Sequence, residues 1–318
     1  METLLYWLAR GVIALLQALP LPIVARLGRL GGAVAYRCDA RHRRTALKNL
    51  SDCFGREKTP REIRALAREN FRRIGENFAC AVRTAIMSPE ELSPHLECAG
   101  AEKVLPFQPD GGPQNRIVAI GHFGNFEIYV RLGQFVPDFK RGSTYRGLRQ
   151  PSLNRLLQSL REKSGCRFFE RRTEAAALKA ALRETGLLLG LLADQHAGRG
   201  GRWLPFLGRN CSTSVAPAVF ALRYRCPLHT AICYRIALAH WRIEVGDEIP
   251  TRENGQPRSL EAITTDINRA FEGAVRRDPA NWFWVHNRWK PPRKRGLGRG
   301  AQPREEESEP ALKAEDRP

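Results

Sequence analysis

Between Arg116 and about Ile249 the chain alternates short apolar runs with longer stretches whose apolar residues recur at helical spacing. The runs Arg116–Ile120, Gly142–Tyr145, Cys166–Phe169, Leu187–Ala193, Leu228–Ile236 and Trp241–Val245 read as strands. The stretches between them, Phe126–Phe135, Leu153–Ser164, Thr173–Glu184 and Ser214–Tyr224, read as helices. Strands and helices alternating at this length predict an α/β fold, a mostly parallel sheet flanked by helices. The last two strands, joined at Ala237–Ala239, suit an antiparallel pair. Leu260–Arg277 reads as a further helix with Ser259 as its cap.

Ahead of this block, residues 1–95 read as helical. Thr59-Pro60-Arg61-Glu62 offers a cap, a proline at the first helical position and a glutamate at the third. Behind it, Ile63, Leu66, Ala67, Phe71, Ile74, Phe78 and Val82 keep helical period, and Ser88-Pro89 breaks it. The segment from Pro106 to Gln114 is a Pro/Gly-rich loop. From Gly296 onward the chain loses periodicity and reads as disordered. The expected organisation is a helical, membrane-associating region over 1–95, an α/β catalytic domain over 96–293 and a disordered tail over 294–318.

Composition narrows the partners. The formal net charge is +19, and of 52 basic residues 43 are arginine. Such a charge implies an anionic partner, or an arginine-rich solvated surface. Arginine binds phosphate through a planar fork that lysine lacks. The eight cysteines, at 38, 53, 80, 98, 166, 211, 226 and 233, form no CxxC pair. They read as small apolar residues in a reducing compartment, and no metal site is expected.

The N-terminus joins apolarity to charge. Leu4–Ala25 is mostly apolar, but its longest uncharged run, Gly11–Ala25, has 15 residues, short of the ~20 that cross a bilayer. Arg26, Arg29, Arg37, Arg41, Arg43 and Arg44 follow. With Tyr6 and Trp7 as interfacial aromatics, this suits a segment dipping into the membrane from its cytoplasmic side, although a core helix has a similar pattern.

The richest chemistry follows the first strand, in Gly121-His122-Phe123-Gly124-Asn125-Phe126-Glu127. Five positions on a regular helix put two side chains off a common face. His122 and Glu127 meet only if the histidine lies on a turn and the glutamate on the helix behind it. A carboxylate that fixes an imidazole tautomer makes a general base for a hydroxyl. Two more polar residues lie just past strand ends, Arg146 and Asp194. Ligands of parallel α/β sheets bind outside the carboxyl ends of the strands, so His122, Arg146 and Asp194 form a candidate site. Backbone N–H groups at Gly124, Asn125 and Phe126, at a helix start, suit an anion.

These residues resemble the lipid A lauroyl/myristoyl acyltransferase family of Gram-negative bacteria. HxxxxE, here GHFGNFE, is shared with glycerophospholipid acyltransferases. Tyr145-Arg146-Gly147-Leu148 is similar to the family's YRPL motif, with Gly147 in place of proline. Asp194-Gln195 resembles its DQ motif, and Trp203–Gly208 its VPFFG segment. Thr213 and Pro217 fall in a stretch like its small-residue helix start. Trp282–Lys290 resembles its WLHRRFK ending, from which Asn287 and Trp289 depart. Thr45–Leu50 also fits, so the resemblance covers roughly residues 1 to 293.

The resemblance implies a glycerol-3-phosphate acyltransferase-like fold and transfer of a fatty acyl group from acyl carrier protein to a hydroxyl of a lipid A precursor. It needs no cofactor beyond that carrier-linked donor. His122 becomes the base and Glu127 its orienting partner. Arg146 binds phosphate or steadies charge on the thioester oxygen. Asp194 positions Arg146 or the acceptor, or simply caps a turn. Gly124, Asn125, Tyr145, Gln195 and Thr213 are the implied substrate-binding residues. The aromatic cluster Trp282–Trp289 reads as core or membrane rim, and His196 and His286 as structural. The implied partners are acyl carrier protein, an anionic lipid or glycolipid acceptor and the membrane surface, with the catalytic domain on the cytoplasmic face of the inner membrane. Another glycolipid or phospholipid acceptor, such as a phosphatidylinositol mannoside or a glycerolipid, fits the same residues. A basic nucleic-acid-binding protein fits the charge but lacks a helix-turn-helix, zinc-finger or RNP1-type signature.

Overall fold

The computed structural model describes residues 2–105, 114–148 and 150–291. Most of the expected 106–114 loop and the expected tail lie outside the described residues.

Five helices come first: α1 (Glu2–Ala18), α2 (Leu21–Cys38), α3 (Ala40–Phe54), α4 (Pro60–Thr84) and the single turn α5 (Pro89–Leu92). A seven-stranded sheet is then built from β1 (Leu96–Ala99), β2 (Arg116–Ile120), β3 (Lys140–Tyr145), β4 (Arg167–Glu170) and β5 (Leu187–Leu192). An outlying hairpin, β6 (Arg202–Phe206) and β7 (Arg209–Thr213), precedes the last sheet strands, β8 (Leu228–Ala237) and β9 (His240–Val245). The strands lie in the order β1-β9-β8-β2-β5-β3-β4, and all neighbours are parallel except β8 and β9. The helices α6 (Pro151–Glu162), α7 (Ala175–Arg183), α8 (Ala216–Tyr224) and α9 (Leu260–Arg277) complete the chain.

Burial explains this order. Every residue of β2 is buried, which suits a near-continuous apolar strand covered on both faces. Ile117, Ala119, Leu189 and Leu191 face one core with residues of α7, α8 and α9. Val118, Ile120, Leu188 and Ala231 face the other, with Ile128, Tyr129 and Leu132 packed over them. That second face carries the site.

The amino-terminal helices are fastened to the sheet. Gly28 and Gly75 let α2 and α4 approach until a Cβ on either would meet the other's carbonyl oxygen. The fully buried Glu76 of α4 accepts hydrogen bonds from Arg235 Nε at 2.8 Å, Arg29 Nη1 at 3.2 Å and the Ala239 N–H at 3.0 Å. This ties α2 and α4 to the β8–β9 hairpin. Asn49 of α3 donates to the carbonyls of Trp284 and His286, and Asn70 of α4 to those of Ala280 and Trp282. The carboxyl-terminal segment is thereby clamped under the site.

Several expectations change. Phe126–Phe135 is a 3-10 helix over Phe126–Gln134, tighter than an α-helix. The strand β1 and the hairpin β6–β7 stand where no strand was expected. Leu21, Val24 and Ala25 are buried in the core, so the 4–25 stretch is not a single exposed segment. Most of its exposed apolar residues lie on α1, including Trp7 and Leu8 at 59% exposure each, while Ile23 lines an exposed side of α2 with Leu27, Leu30 and Val34. Among the described residues no helix is long and apolar enough to cross a membrane.

Candidate active site

His122 leaves the carboxyl end of β2 on a bend. Its Nδ1 lies 2.8 Å from Oδ1 of Asp194, and its backbone N–H donates to Oδ2 of the same carboxylate at 2.8 Å. Asp194 follows β5, the parallel neighbour of β2, so the sheet register delivers both residues to one place. The Trp282 indole N–H also donates to Asp194 Oδ2, at 2.8 Å. Asp194 is 1% exposed. Burial alone would raise its carboxyl, but the charge of His122 and hydrogen bonds from His122 and Trp282 outweigh that and draw it down to about 2. An ionised carboxylate only accepts, so Nδ1 carries the ring proton and Nε2 is left as the acceptor. Nε2 bears no hydrogen bond among the described residues, and the ring forms part of a cavity wall. Phe126 meets the ring edge-on with centroids 4.8 Å apart.

The expected partnership of His122 with Glu127 is corrected by this geometry. Glu127 is held from the other side by Arg161 of α6, with Nε 3.0 Å from Oε2 and Nη2 2.5 Å from Oε1. Asp194 occupies the position that sequence spacing gave to Glu127, and it neither binds Arg146 nor merely caps a turn. This bidentate pair joins the 3-10 helix to α6.

The cavity has a volume of about 920 Å³. His122, Glu127, Tyr145, Arg146 and Gln195 all line it. Arg146 makes no hydrogen bond or ion pair with another described residue, so its fork is open to a ligand. Among the described residues five arginines, 141, 146, 161, 171 and 172, contribute to the walls against the single carboxylate of Glu127. This imbalance favours an anionic ligand group.

Three expected substrate-binding residues lie elsewhere. Gly124, at φ +51°, turns the chain against Cys233, where a Cβ would come within 2.6 Å of a carbonyl oxygen. Asn125 is buried, with its amide unpaired. Thr213 accepts a hydrogen bond from Arg288 Nη2 at 2.8 Å and donates to the Cys211 carbonyl. None of the three is among the cavity walls. The Gly124 N–H donates to Asn281, the Phe126 N–H to Gly124, and the Asn125 N–H meets Cys233. The backbone donors expected to face an anion are therefore occupied.

Two further residues support the site, both from the Trp282–Lys290 segment, whose aromatic cluster reads in sequence as core or membrane rim. Trp282 completes the hydrogen bonds of Asp194. Arg288, fully buried, donates to the carbonyls of Gln195 and Ser212 as well as to Thr213, which pins the Asp194–Gln195 turn to β7. Only the aromatic and basic character of the 282–290 segment marked them in sequence. His196 lines the cavity, and its Nδ1 accepts from the Gly198 N–H at 3.0 Å. His286 is held neutral by burial, which lowers it to about 4.

A buried aspartate orienting a histidine at the carboxyl ends of parallel strands, beside an arginine-rich cavity, suits activation of a hydroxyl. Comparison with known proteins gives the family. Residues 1–291 match the family model described as bacterial lipid A biosynthesis acyltransferase. The chain is 25% identical over 295 residues to the lipid A biosynthesis palmitoleoyltransferase of Escherichia coli (strain K12), covering 90% of this chain and 91% of that protein. The same figures hold for the lipid A biosynthesis acyltransferase of Shigella flexneri. An 81-residue stretch is 38% identical to the lipid A biosynthesis myristoyltransferase of E. coli (strain K12), over 26% of this chain and 24% of that one. With a family match that runs from the first residue through the carboxyl-terminal clamp, this acyltransferase chain belongs to the bacterial lipid A biosynthesis acyltransferase family.

Proposed function

We propose that this acyltransferase moves a fatty acyl group from the thioester of acyl carrier protein to a hydroxyl of a lipid A precursor, with His122 as general base. The observation that carries the mechanism is the His122–Asp194 pair, which leaves Nε2 as an acceptor on the cavity wall. The acceptor hydroxyl donates to Nε2 and loses its proton as its oxygen attacks the thioester carbonyl carbon. Asp194, already ionised, steadies the imidazolium that forms. Negative charge gathers on the former carbonyl oxygen, and a nearby guanidinium offsets it. Collapse of the intermediate breaks the C–S bond, and the imidazolium returns its proton to the departing thiolate.

Two arginines divide the remaining work. Arg161 is held rigidly by Glu127, which suits a fixed charge at the reacting carbonyl. Arg146 is open at the mouth, which suits a phosphate of donor or acceptor. Glu127 then acts through Arg161 rather than through the imidazole. The exposed apolar residues of α1 and α2, with the arginines around them, support docking of the protein on the cytoplasmic face of the inner membrane.

The test is acyl transfer by the purified full chain. Lipid A precursor, a glycerolipid and a phosphatidylinositol mannoside are offered with either carrier-protein or coenzyme A thioesters, and products are read by mass spectrometry. A single added acyl chain on the lipid A precursor from the carrier-protein donor supports the proposal. Transfer to another acceptor alone sinks it.

A further inference from the structure

His122 borders a second, much smaller space besides the arginine-walled cavity. This is a narrow cleft of about 10 Å³ between α4 and the segment 280–283. A single water needs ~10–15 Å³, so the cleft is at the limit of holding one. Aromatic rings close it. Phe126 lies 4.8 Å from the His122 ring and Phe283 5.9 Å, centroid to centroid. Phe78 meets Phe126 at 6.0 Å and Phe283 at 6.2 Å, edge-on to both. The four rings His122, Phe126, Phe78 and Phe283 therefore form a closed circuit. Phe78 is its outer member, 49% exposed, whereas Phe126 and Phe283 are half-buried.

The fold holds this circuit in place. Asn70, Ile74 and Phe78 recur every fourth residue along α4 and so share a face. Asn70 clamps the carbonyls of Ala280 and Trp282 at 3.0 and 2.5 Å, and Arg73 holds Asp278 at 2.6 Å. The face that grips the carboxyl-terminal segment thus carries Phe78 to Phe283, about two turns on. A ring half in water adds less to folding than a buried one. Both of the ring contacts that Phe78 makes among the described residues are with rings flanking the base.

A bound thioester faces two nucleophiles, the lipid hydroxyl and water, and the same imidazole serves either. If water attacks, its oxygen bonds to the carbonyl carbon and the C–S bond breaks. Its proton passes through His122 Nε2 to the departing thiolate, and a free fatty acid is left. Keeping water out of an active site suppresses such a side reaction. We propose that Phe78, Phe126 and Phe283 form an aromatic collar that shields the His122 imidazole from water, and so directs the acyl group to the lipid hydroxyl. Phe78 is the outer plate of the collar. The proposal rests on the acyl-transfer reading above.

The experiment gives the purified full chain an acyl–carrier-protein thioester, with and without lipid A precursor. Free fatty acid and acylated lipid are read together by mass spectrometry. Phe78→Ala opens the collar on its solvent side. It raises the ratio of free fatty acid to acylated lipid about tenfold or more, and hydrolysis without acceptor about fivefold or more. Phe78→Leu refills much of the gap with apolar atoms and stays within about threefold of wild type in both readings. Adding His122→Ala to Phe78→Ala removes the extra hydrolysis, because that hydrolysis runs through the same base. A variant that merely loosened the fold slows both products together, and melting curves verify folding. An unchanged ratio in Phe78→Ala overturns the proposal. So does a ratio that rises only because transfer falls while hydrolysis without acceptor is unchanged, since Phe78 is then an acceptor contact. Wild type that transfers yet hydrolyses as readily as Phe78→Ala sinks the proposal alone. Wild type that forms no acylated lipid sinks the acyl-transfer reading with it.

Discussion

Replacing Asp194 with asparagine tests the orientation of the base at the cost of one atom. The carboxylate receives three hydrogen bonds, each 2.8 Å long: the His122 and Trp282 N–H groups at Oδ2, and Nδ1 at Oδ1. An amide has one accepting oxygen. Placed at Oδ2 it keeps two of the bonds and turns its NH₂ toward Nδ1. The ring then answers best with its proton on Nε2, the tautomer that cannot take a proton from a hydroxyl. General-base catalysis is worth roughly 10²–10⁴ in rate, so kcat/KM falls by that factor, or roughly 2.7–5.5 kcal/mol in barrier. Stability changes as well. The Asp194 carboxyl sits at about 2 against an ordinary 3.8, because His122 charge and hydrogen bonding overcome burial. A depressed folded value stabilises above the unfolded value and is lost as pH falls through the folded one. The stabilisation, about 2 kcal/mol, is thus present above about pH 4 and disappears toward pH 2. Steady-state kinetics with saturating donor and melting curves from pH 7 to pH 2 measure both effects. Asparagine activity within threefold of wild type refutes the tautomer argument. So does a larger loss from Glu127→Gln than from Asp194→Asn.

Three further outcomes follow from the same contacts. Trp282→Phe keeps an aromatic ring, though a smaller one, and removes a hydrogen bond to a charged group, worth about 1.5–3 kcal/mol; kcat drops about tenfold or more while KM for the acceptor holds, and an unchanged kcat removes Trp282 from the positioning set. Glu76→Ala leaves Arg235 without its buried partner and costs roughly 3–5 kcal/mol in denaturant titration; a loss below 1 kcal/mol contradicts its role as the tie between α4 and the β8–β9 hairpin. Removing residues 1–18 spares the buried Leu21, Val24 and Ala25, so the melting transition survives; binding to vesicles containing anionic phospholipid weakens at least tenfold, and equal binding places the membrane contact elsewhere.

Local signals in this chain were legible, and long-range pairings were not. The capping box at Thr59 and the cap at Ser259 each form between residues three apart, and both are present. The strand before His122 was readable because β2 is apolar at four consecutive positions, and the antiparallel β8–β9 pair because its connection is short. The hairpin β6–β7 escaped because its turn is Leu207-Gly208, and leucine in the left-handed region, at φ +50°, is no turn signal. Pro205 inside β6 disguised it further, as proline belongs at sheet edges. The orienting carboxylate was misplaced because Glu127 is five residues from His122 and Asp194 is 72 away. Only the register of β2 with β5 makes the distant residue the neighbour. Trp282 was hidden for the same reason: its indole reaches Asp194 through a fold that Asn49 and Asn70 hold closed.

The central claim is that His122 activates a lipid hydroxyl for acylation. The most direct measurement is the mass of lipid A precursor after incubation with an acyl–carrier-protein donor and either the wild-type chain or His122→Ala. The account predicts one added acyl chain with wild type, and a rate at least ~10²-fold lower with a His122→Ala protein that melts like wild type. Equal acylation by the two proteins contradicts it.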